Sequence, residues 1–311
     1  MNKIKTPLLF IVFNRPDLTK KVFEKIRQAK PPKLYIACDG PRLGYEDEKE
    51  KVDKVREIVN KVDWPCELKT LFQNNNLGCK KGCITAISWF FENEEKGIIL
   101  EDDCLPHLDF FNFCEILLDR YFNDERVSFI TGDNFQDGNL RGDASYYFSK
   151  YINLWGWATW RRSWIKYDVG NMKFWPEWSN SKDFSDKMMD NIEKKYWKNI
   201  FNLMYLEKID TWCYPLSASV WYNGGLTATP NVNLVSNIGF GDGATHTTFE
   251  NNKYSNMSVH SIGNLKHPIK IEQNLEADKW TFNNHYGGKN LRFPTNFVFH
   301  FRRIVNFLLN R

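Results

Sequence analysis

The sequence has no long apolar run: nowhere in its 311 residues does an uninterrupted stretch approach the roughly 20 apolar residues that span a bilayer. The first six residues are polar and lead directly into a strand-like run, so no signal peptide is expected. A dominant charge is missing as well. With 42 Lys and Arg against 38 Asp and Glu, the net charge of +4 is too balanced for nucleic-acid binding driven by counterion release. Cysteine is sparse and odd in number: seven residues scattered through apparent strands and helices point to free thiols in a reducing compartment rather than a disulfide framework. Cys79 and Cys83 are four apart, but no second Cys/His pair at zinc spacing accompanies them, so no zinc site is expected. Neither an internal repeat nor a long linker divides the chain, and one integrated domain is expected.

What is present begins with a 42% hydrophobic content, enough to bury a sizeable core. Aromatic residues make up 16%, and many of the 12 Trp lie between Trp155 and Trp221. Those rings suit a core, and equally a carbohydrate-facing surface, because each joins a flat apolar face to a polar handle.

Residues 1–131 alternate between apolar runs of strand length and segments of helical period. Strands are expected over 8–13, 33–38, 66–72, 97–100 and 127–131. Between them, Leu18, Val22 and Ile26 recur at a spacing of four, with Asp17 as the expected N-cap. Val52, Val55, Ile58, Val59 and Val62 form one stripe of an amphipathic helix, Ile84, Ile87 and Phe91 mark another, and residues 110–121 a further one. This rhythm predicts an α/β fold with a mainly parallel, Rossmann-like sheet flanked by helices. After residue 131 the rhythm breaks. Residues 132–250 read as loops, short strands and helices laid against the sheet edge as the second wall of a cleft, with a polar helix over 183–206. Residues 251–311 read as an extension. Its last part, 294–311, is either a helix docked on the core or a basic amphipathic helix on an anionic membrane surface.

The stretch Gly97-Ile98-Ile99-Leu100-Glu101-Asp102-Asp103-Cys104-Leu105-Pro106 is the most informative. It delivers three adjacent acids to the C-terminal end of a buried strand, where open α/β sheets place ligand chemistry. Three neighbouring carboxylates repel unless a cation sits among them, and a hard divalent ion shared with a phosphate is the expected one. A solvated acidic turn is the plain alternative. Three other strand ends share that rim: Asn14-Arg15-Pro16-Asp17, Asp39-Gly40-Pro41-Arg42 and Asn74-Asn75-Asn76-Leu77-Gly78. Polar side chains there can read a base while Arg and Lys hold phosphates, with Lys80 and Lys81 within reach of a diphosphate. Each turn alone carries little weight, since Asn, Asp, Gly and Pro are ordinary turn residues.

With these motifs in view, the sequence resembles the GT-A-fold glycosyltransferases, nucleotide-diphospho-sugar transferases of the bacterial surface-polysaccharide kind, and more distantly N-acetylglucosaminyltransferase I. The resemblance rests on Phe10-Ile11-Val12-Phe13-Asn14-Arg15-Pro16, Cys38-Asp39-Gly40-Pro41-Arg42, Asn76-Leu77-Gly78 and the acidic stretch. It continues in Asn153-Leu154-Trp155-Gly156-Trp157-Ala158-Thr159-Trp160 and Asn231-Val232-Asn233-Leu234-Val235-Ser236-Asn237-Ile238-Gly239, spanning roughly residues 6 to 248.

The resemblance implies a role for each matching residue. Glu101-Asp102-Asp103 takes the place of the DxD-type motif, with Asp103 binding Mn²⁺ or Mg²⁺ and Glu101 and Asp102 contacting the donor's ribose, sugar or metal-bound waters. Glu in the first position departs from the commonest spelling of that motif. Asp39 would bond the base, with Gly40, Arg42, Asn76 and Lys81 also on the donor, and Asn14 and Arg15 would wall the nucleotide. Asp210, in Lys208-Ile209-Asp210-Thr211-Trp212, stands where inverting members hold their catalytic base, unless it merely caps the following segment; Asp168 and Glu207 are weaker candidates. His246, in a Gly-rich loop expected to order over the donor, would be a second metal or diphosphate ligand, unless it is simply a solvent-exposed loop histidine. Trp155, Trp157 and Trp212, with Trp160 nearby, either stack on the acceptor sugar or pack beneath the cleft.

The expected activity is metal-dependent transfer of a hexosyl or N-acetylhexosaminyl group from a nucleotide sugar, a UDP-sugar favoured, to a glycan or lipid-linked glycan. The expected location is cytoplasmic, with the last helix as a point of peripheral membrane contact. A sugar nucleotidyltransferase would need a Gly-rich triphosphate loop after the first strand, where this chain has Asn14-Arg15-Pro16. A glycoside hydrolase would need paired carboxylates but no nucleotide rim. A carbohydrate-binding protein that kept the fold without turnover is the non-enzymatic alternative.

Overall fold

The computed structural model describes residues 4–166, 168, 172–241 and 253–293. His246 and the segment 294–311 lie outside the described residues.

The first part of the chain follows its sequence pattern closely. It runs β1 (Leu8–Val12), α1 (Pro16–Ala29), β2 (Lys33–Cys38), α2 (Glu48–Val59), β3 (Glu67–Phe72), α3 (Cys79–Asn93), β4 (Lys96–Glu101), β5 (Cys104–Pro106), α4 (Asp109–Arg120) and β6 (Val127–Thr131). One boundary differs from expectation. Helix α1 is entered from Arg15, with Pro16 as its first residue, and Asp17 sits inside the first turn. Proline's fixed φ and missing N–H suit that first position, and the Asp17 charge suits the positive end of the helix without capping it.

The second part holds β7 (Tyr146–Ser149), β8 (Trp157–Trp160), α5 (Arg161–Trp164), α6 (Trp175–Trp178), α7 (Lys182–Asp186), α8 (Asn191–Tyr205), α9 (Cys213–Tyr222), β9 (Leu226–Pro230), β10 (Val235–Asn237) and α10 (Leu275–Asn284). The helix expected over 183–206 is two helices. Asp190 stops the run, because its carboxylate accepts from the amides of Ile192 and Glu193 and so opens a new N-terminus. Nor is this part merely laid against the sheet. It contributes three strands to an eight-stranded sheet ordered β3-β2-β1-β4-β8-β6-β9-β7. Strand β8 enters antiparallel between β4 and β6, and β7 antiparallel on β9; the other pairings are parallel. All four residues of β8 are buried, so no alternation of polarity marks it as a strand.

Strand alternation sends successive side chains to opposite faces. Leu8, Phe10, Val12, Ile98 and Leu100 join α1, α2 and α4 in one core layer, while Leu9 and Ile99 join α3 and α9 in the other. A third cluster, built on Trp175, Trp178, Trp197, Phe201 and Trp221, packs the second part of the chain, so much of the tryptophan content lies in the interior. Among the described residues no helix is long and apolar enough to cross a membrane.

Candidate active site

The registers Val12↔Cys38, Cys38↔Phe72 and Ile11↔Glu101 align the C-terminal ends of β1, β2, β3 and β4. The turns that follow therefore share one rim around a pocket of about 230 Å³. Asn14, Arg15, Asp39, Arg42, Asn76, Glu101 and Asp102 line it, above an apolar floor that includes Ala37, Leu71 and Ala86. Two other donor-side residues do not line it. Lys81 is exposed on the side of α3 facing solvent. Gly40 is buried against the β3 turn, where a Cβ would come 2.5 Å from the Asn75 carbonyl carbon, so its part is to let two turns touch.

Asp39 faces inward on its own loop as much as on the pocket. Its carboxylate accepts from the amides of Gly40 (2.8 Å), Leu77 (2.9 Å) and Gly78 (3.1 Å), and Asn76 Nδ2 donates to the Gly40 carbonyl at 2.9 Å. Burial pushes the Asp39 carboxyl up, and the amides oppose that shift. The second and third turns are thus fastened to each other before any ligand arrives.

The acidic triplet is divided by strand alternation. Glu101 falls on the α3 side, within electrostatic reach of Cys79, and Asp102 on the α1 side, beside Arg15. The Arg15 guanidinium binds Asp102 through Nε and Nη2 and reaches Asp103 Oδ2 at 3.1 Å. Burial works against the Arg15 charge, but Asp102 and Asp103 raise its pKa well above the ordinary value. Burial also pushes Asp102 up to about 6, with Arg15 opposing and Asp103 adding, and pushes Glu101 well above the usual carboxylate range, with Asp103 and Cys79 adding. One guanidinium therefore faces three carboxylates, and the cluster is short of positive charge.

Strand β5 leaves the triplet and pairs with β10, Cys104 opposite Asn237 and Pro106 opposite Val235. The pairing brings the Ile238 amide to the Asp103 carbonyl at 2.9 Å. At Gly239 a Cβ would run into the Asp103 carboxylate and, at 2.7 Å, Arg15 Nη1, which explains glycine there. Two motifs more than 120 residues apart in the chain thus meet over the acids.

Asp210 is exposed in the loop before α9, with no partner among the described residues. It does not cap α9, which is entered from Trp212; the Thr211 hydroxyl accepts from the Cys213 amide instead. Thr211 and Trp212 are buried, and Cys213 lies within electrostatic reach of Glu101, so this loop approaches the same rim. Asp168 accepts from the Lys173 amide, and Glu207 is an exposed turn residue.

The acceptor-side tryptophans need correction. Trp157 and Trp212 are 1% and 2% exposed and pack against each other at 6.0 Å, and Trp160 donates to the Leu118 carbonyl from the opposite layer. These rings stabilise the core and are closed to a sugar. Trp155 alone of the group is half-buried, edge-on to Phe135 and Phe240.

Two buried acids were not singled out by the sequence pattern. Glu48, the first residue of α2, is 4% exposed and binds both Asn14 and Arg42. Asp133, two residues beyond β6, is fully buried; it accepts from the Thr131 hydroxyl (2.9 Å) and the Trp155 amide (3.1 Å). Its signal was a strand closed by Gly132-Asp133-Asn134, a turn of the same composition as those on the rim. Burial pushes Asp133 up to about 7 and Asp278 to about 6, against hydrogen bonds that favour their ionised forms. Each group takes up a proton on folding, so the stability it contributes is complete below the ordinary carboxylate pKa and is lost as pH rises through 6 to 7. A melting temperature that falls between about pH 5 and pH 8 is expected, with Asp133→Asn removing part of the fall. An Asp133→Asn variant whose melting temperature follows the wild-type pH profile without change would contradict the assignment.

For a metal, the available donors are hard oxygens. Arg15 engages both Asp102 oxygens and Asp103 Oδ2, and the Cys104 thiol donates to Asp103 Oδ1 at 3.5 Å, so a cation at Asp103 would have to share its oxygens with these partners, whereas Glu101 lies outside the Arg15 hydrogen bonds. Carboxylate oxygens are the donor type that Mn²⁺ and Mg²⁺ take. Among the described residues no group of three or more His, Cys, Asp and Glu side chains stands at metal-holding geometry.

No family model matches the chain, and no curated protein matches it. Solved structures of similar topology include the inositol-1-phosphate CTP transferase from T. maritima, at 9% identity and a TM-score of 0.37, covering 73% of this chain and 85% of that one. A CMP:2-keto-3-deoxy-manno-octonic acid synthetase complexed with CTP aligns at 12% identity and a TM-score of 0.36, covering 72% and 89%. An apo UDP-glucose pyrophosphorylase aligns at 12% and 0.31, covering 51% and 78%. Likeness at this level says nothing of activity.

Proposed function

We propose that the protein transfers a sugar from a nucleoside-diphosphate sugar, a UDP-sugar favoured, to a hydroxyl of a glycan or glycolipid acceptor, with inversion at the anomeric carbon. The observation that carries this reading is the convergence of four strand-end turns on one pocket, with Glu101 and Asp102 of the carboxylate triplet in its lining and Asp103 beside them. Asn14, Asp39 and Asn76 supply polar contacts for base and ribose, and the apolar floor excludes water from the bound nucleotide. Arg15 holds Asp102 and Asp103 in place. Glu101 and Asp103 would hold Mn²⁺ or Mg²⁺, with His246 as a further ligand in this proposal. The cation, when bound, supplies stabilisation of the charge that develops on the departing diphosphate. Asp210 takes the proton of the acceptor hydroxyl, and Trp155 lies against the acceptor.

The test is a panel of UDP-, GDP- and dTDP-sugars offered to the full chain with and without Mn²⁺, read by thermal shift and by release of nucleoside diphosphate. A true donor at 100 times its Kd stabilises the fold by about 2.7 kcal/mol. Asp103→Ala is expected to abolish the Mn²⁺-dependent part of that shift. The absence of any shift with every nucleotide would overturn the reading. Binding without turnover would identify a binding protein. Pyrophosphate release from a nucleoside triphosphate and a sugar 1-phosphate would identify a sugar nucleotidyltransferase. Against that last outcome stand the turn Asn14-Arg15-Pro16, which lacks glycine, and the guanidinium of Arg15, already engaged by Asp102 and Asp103.

A further inference from the structure

We infer that Glu48 is a positioning residue of the nucleotide pocket, clamping Asn14 from the β1 turn and Arg42 from the β2 turn into one wall. This role rests on the pocket being a nucleotide site. Glu48 stands out by its burial: residues 42–47 and 49–50 are all exposed, whereas Glu48 is 4% exposed. Burying a carboxylate is costly unless it is paired and hydrogen-bonded, and here both of its oxygens are used. Oε1 accepts from Asn14 Nδ2 at 2.8 Å and from Arg42 Nε at 3.0 Å; Oε2 accepts from the Arg42 amide at 2.6 Å. Arg42 Nη2 closes the ion pair.

The consequence is geometric. A guanidinium held edge-on by a carboxylate presents its flat faces elsewhere, and Arg42 lies 4.2 Å from the Tyr45 ring centroid and 5.7 Å from that of Phe13. Phe13, Asn14 and Arg42 all line the pocket, and Glu48 does not. Glu48 therefore acts through its two partners. Without it, Arg42 would be an exposed chain on an exposed loop, and ordering it would fall to the ligand.

The test measures UDP and UMP binding by calorimetry to the full chain, to Glu48→Gln, Arg42→Ala and Arg42→Lys, and to the Glu48→Gln/Arg42→Ala double variant, with a thermal melt of each. Glu48→Gln keeps the shape but loses the charge, and is expected to raise Kd about tenfold. Arg42→Lys keeps the charge but loses the fork, and should do the same. The double variant should lose clearly less than the sum of the two single losses, the remainder running through Asn14, a non-additivity that a merely structural role would not give. Wild-type binding with unchanged Kd in Glu48→Gln and Arg42→Lys, or fully additive losses, would overturn the role of Glu48 and leave the nucleotide reading standing. Failure of the wild type to bind UDP, UMP, GDP or dTDP would overturn both.

Discussion

Asp210→Asn is expected to leave UDP binding within about twofold of wild type and to cut sugar transfer by about 10²–10⁴-fold, the usual contribution of a positioned general base. The change keeps the side chain's size and removes its ability to take a proton. Asp210 is exposed, caps no helix and has no partner among the described residues, so its loss should not disturb the fold. Melting temperature and nucleotide affinity serve as the controls, and initial rates of nucleoside-diphosphate release with acceptor present are the measurement. Full transfer by the variant would remove Asp210 from the mechanism. Donor hydrolysis by water should fall less, because water is already small and mobile enough to lose its proton to solvent.

The second large effect is on stability. Arg15→Met removes the cation that faces Asp102 and Asp103 while keeping much of the side chain's length. Asp102 is 4% exposed in its side chain and Arg15 25%. Breaking a buried pair by removing one partner costs about 3–5 kcal/mol, and the lower end applies to a partly exposed guanidinium. A loss of about 3 kcal/mol lowers the Tm of a 311-residue chain by roughly 5 °C, at about 2.1 cal/mol/K of unfolding entropy per residue. Asp102→Asn in the same background should restore part of the loss, because it removes the charge left stranded. A variant melting within about 1 °C of wild type would show that the pair contributes little to stability.

How legible the molecule was in its sequence depends on the range of the forces involved. Strands β1 to β4, helices α1 to α4 and the turns between them are specified by local period and turn chemistry, and the rim was legible with them. The antiparallel insertion of β8 was not, because Trp157-Ala158-Thr159-Trp160 carries no alternation and its neighbours are chosen by long-range pairing. The same limit applies to Trp157 and Trp212: a ring suited to a sugar is equally suited to a core, and only the packing decides. Glu48 was hidden for a different reason. It opens an ordinary charged helix, and its burial follows from Asn14 and Arg42 arriving from two other turns. Asp102 illustrates a partial reading, since the triplet was expected to need a cation and Arg15 supplies the first of it.

The short ribbon of β5 and β10 ties the acids to a segment that emerges late in synthesis. A nascent chain halted before residue 235 would already carry β1 to β4 and every residue lining the pocket, yet Asp103 and Arg15 would lack the cover of Ile238 and Gly239. Completion of the site is thus coupled to a contact of large sequence separation, the kind that folds late. On the ribosome, the acidic edge would remain open to solvent until most of the polypeptide has been made.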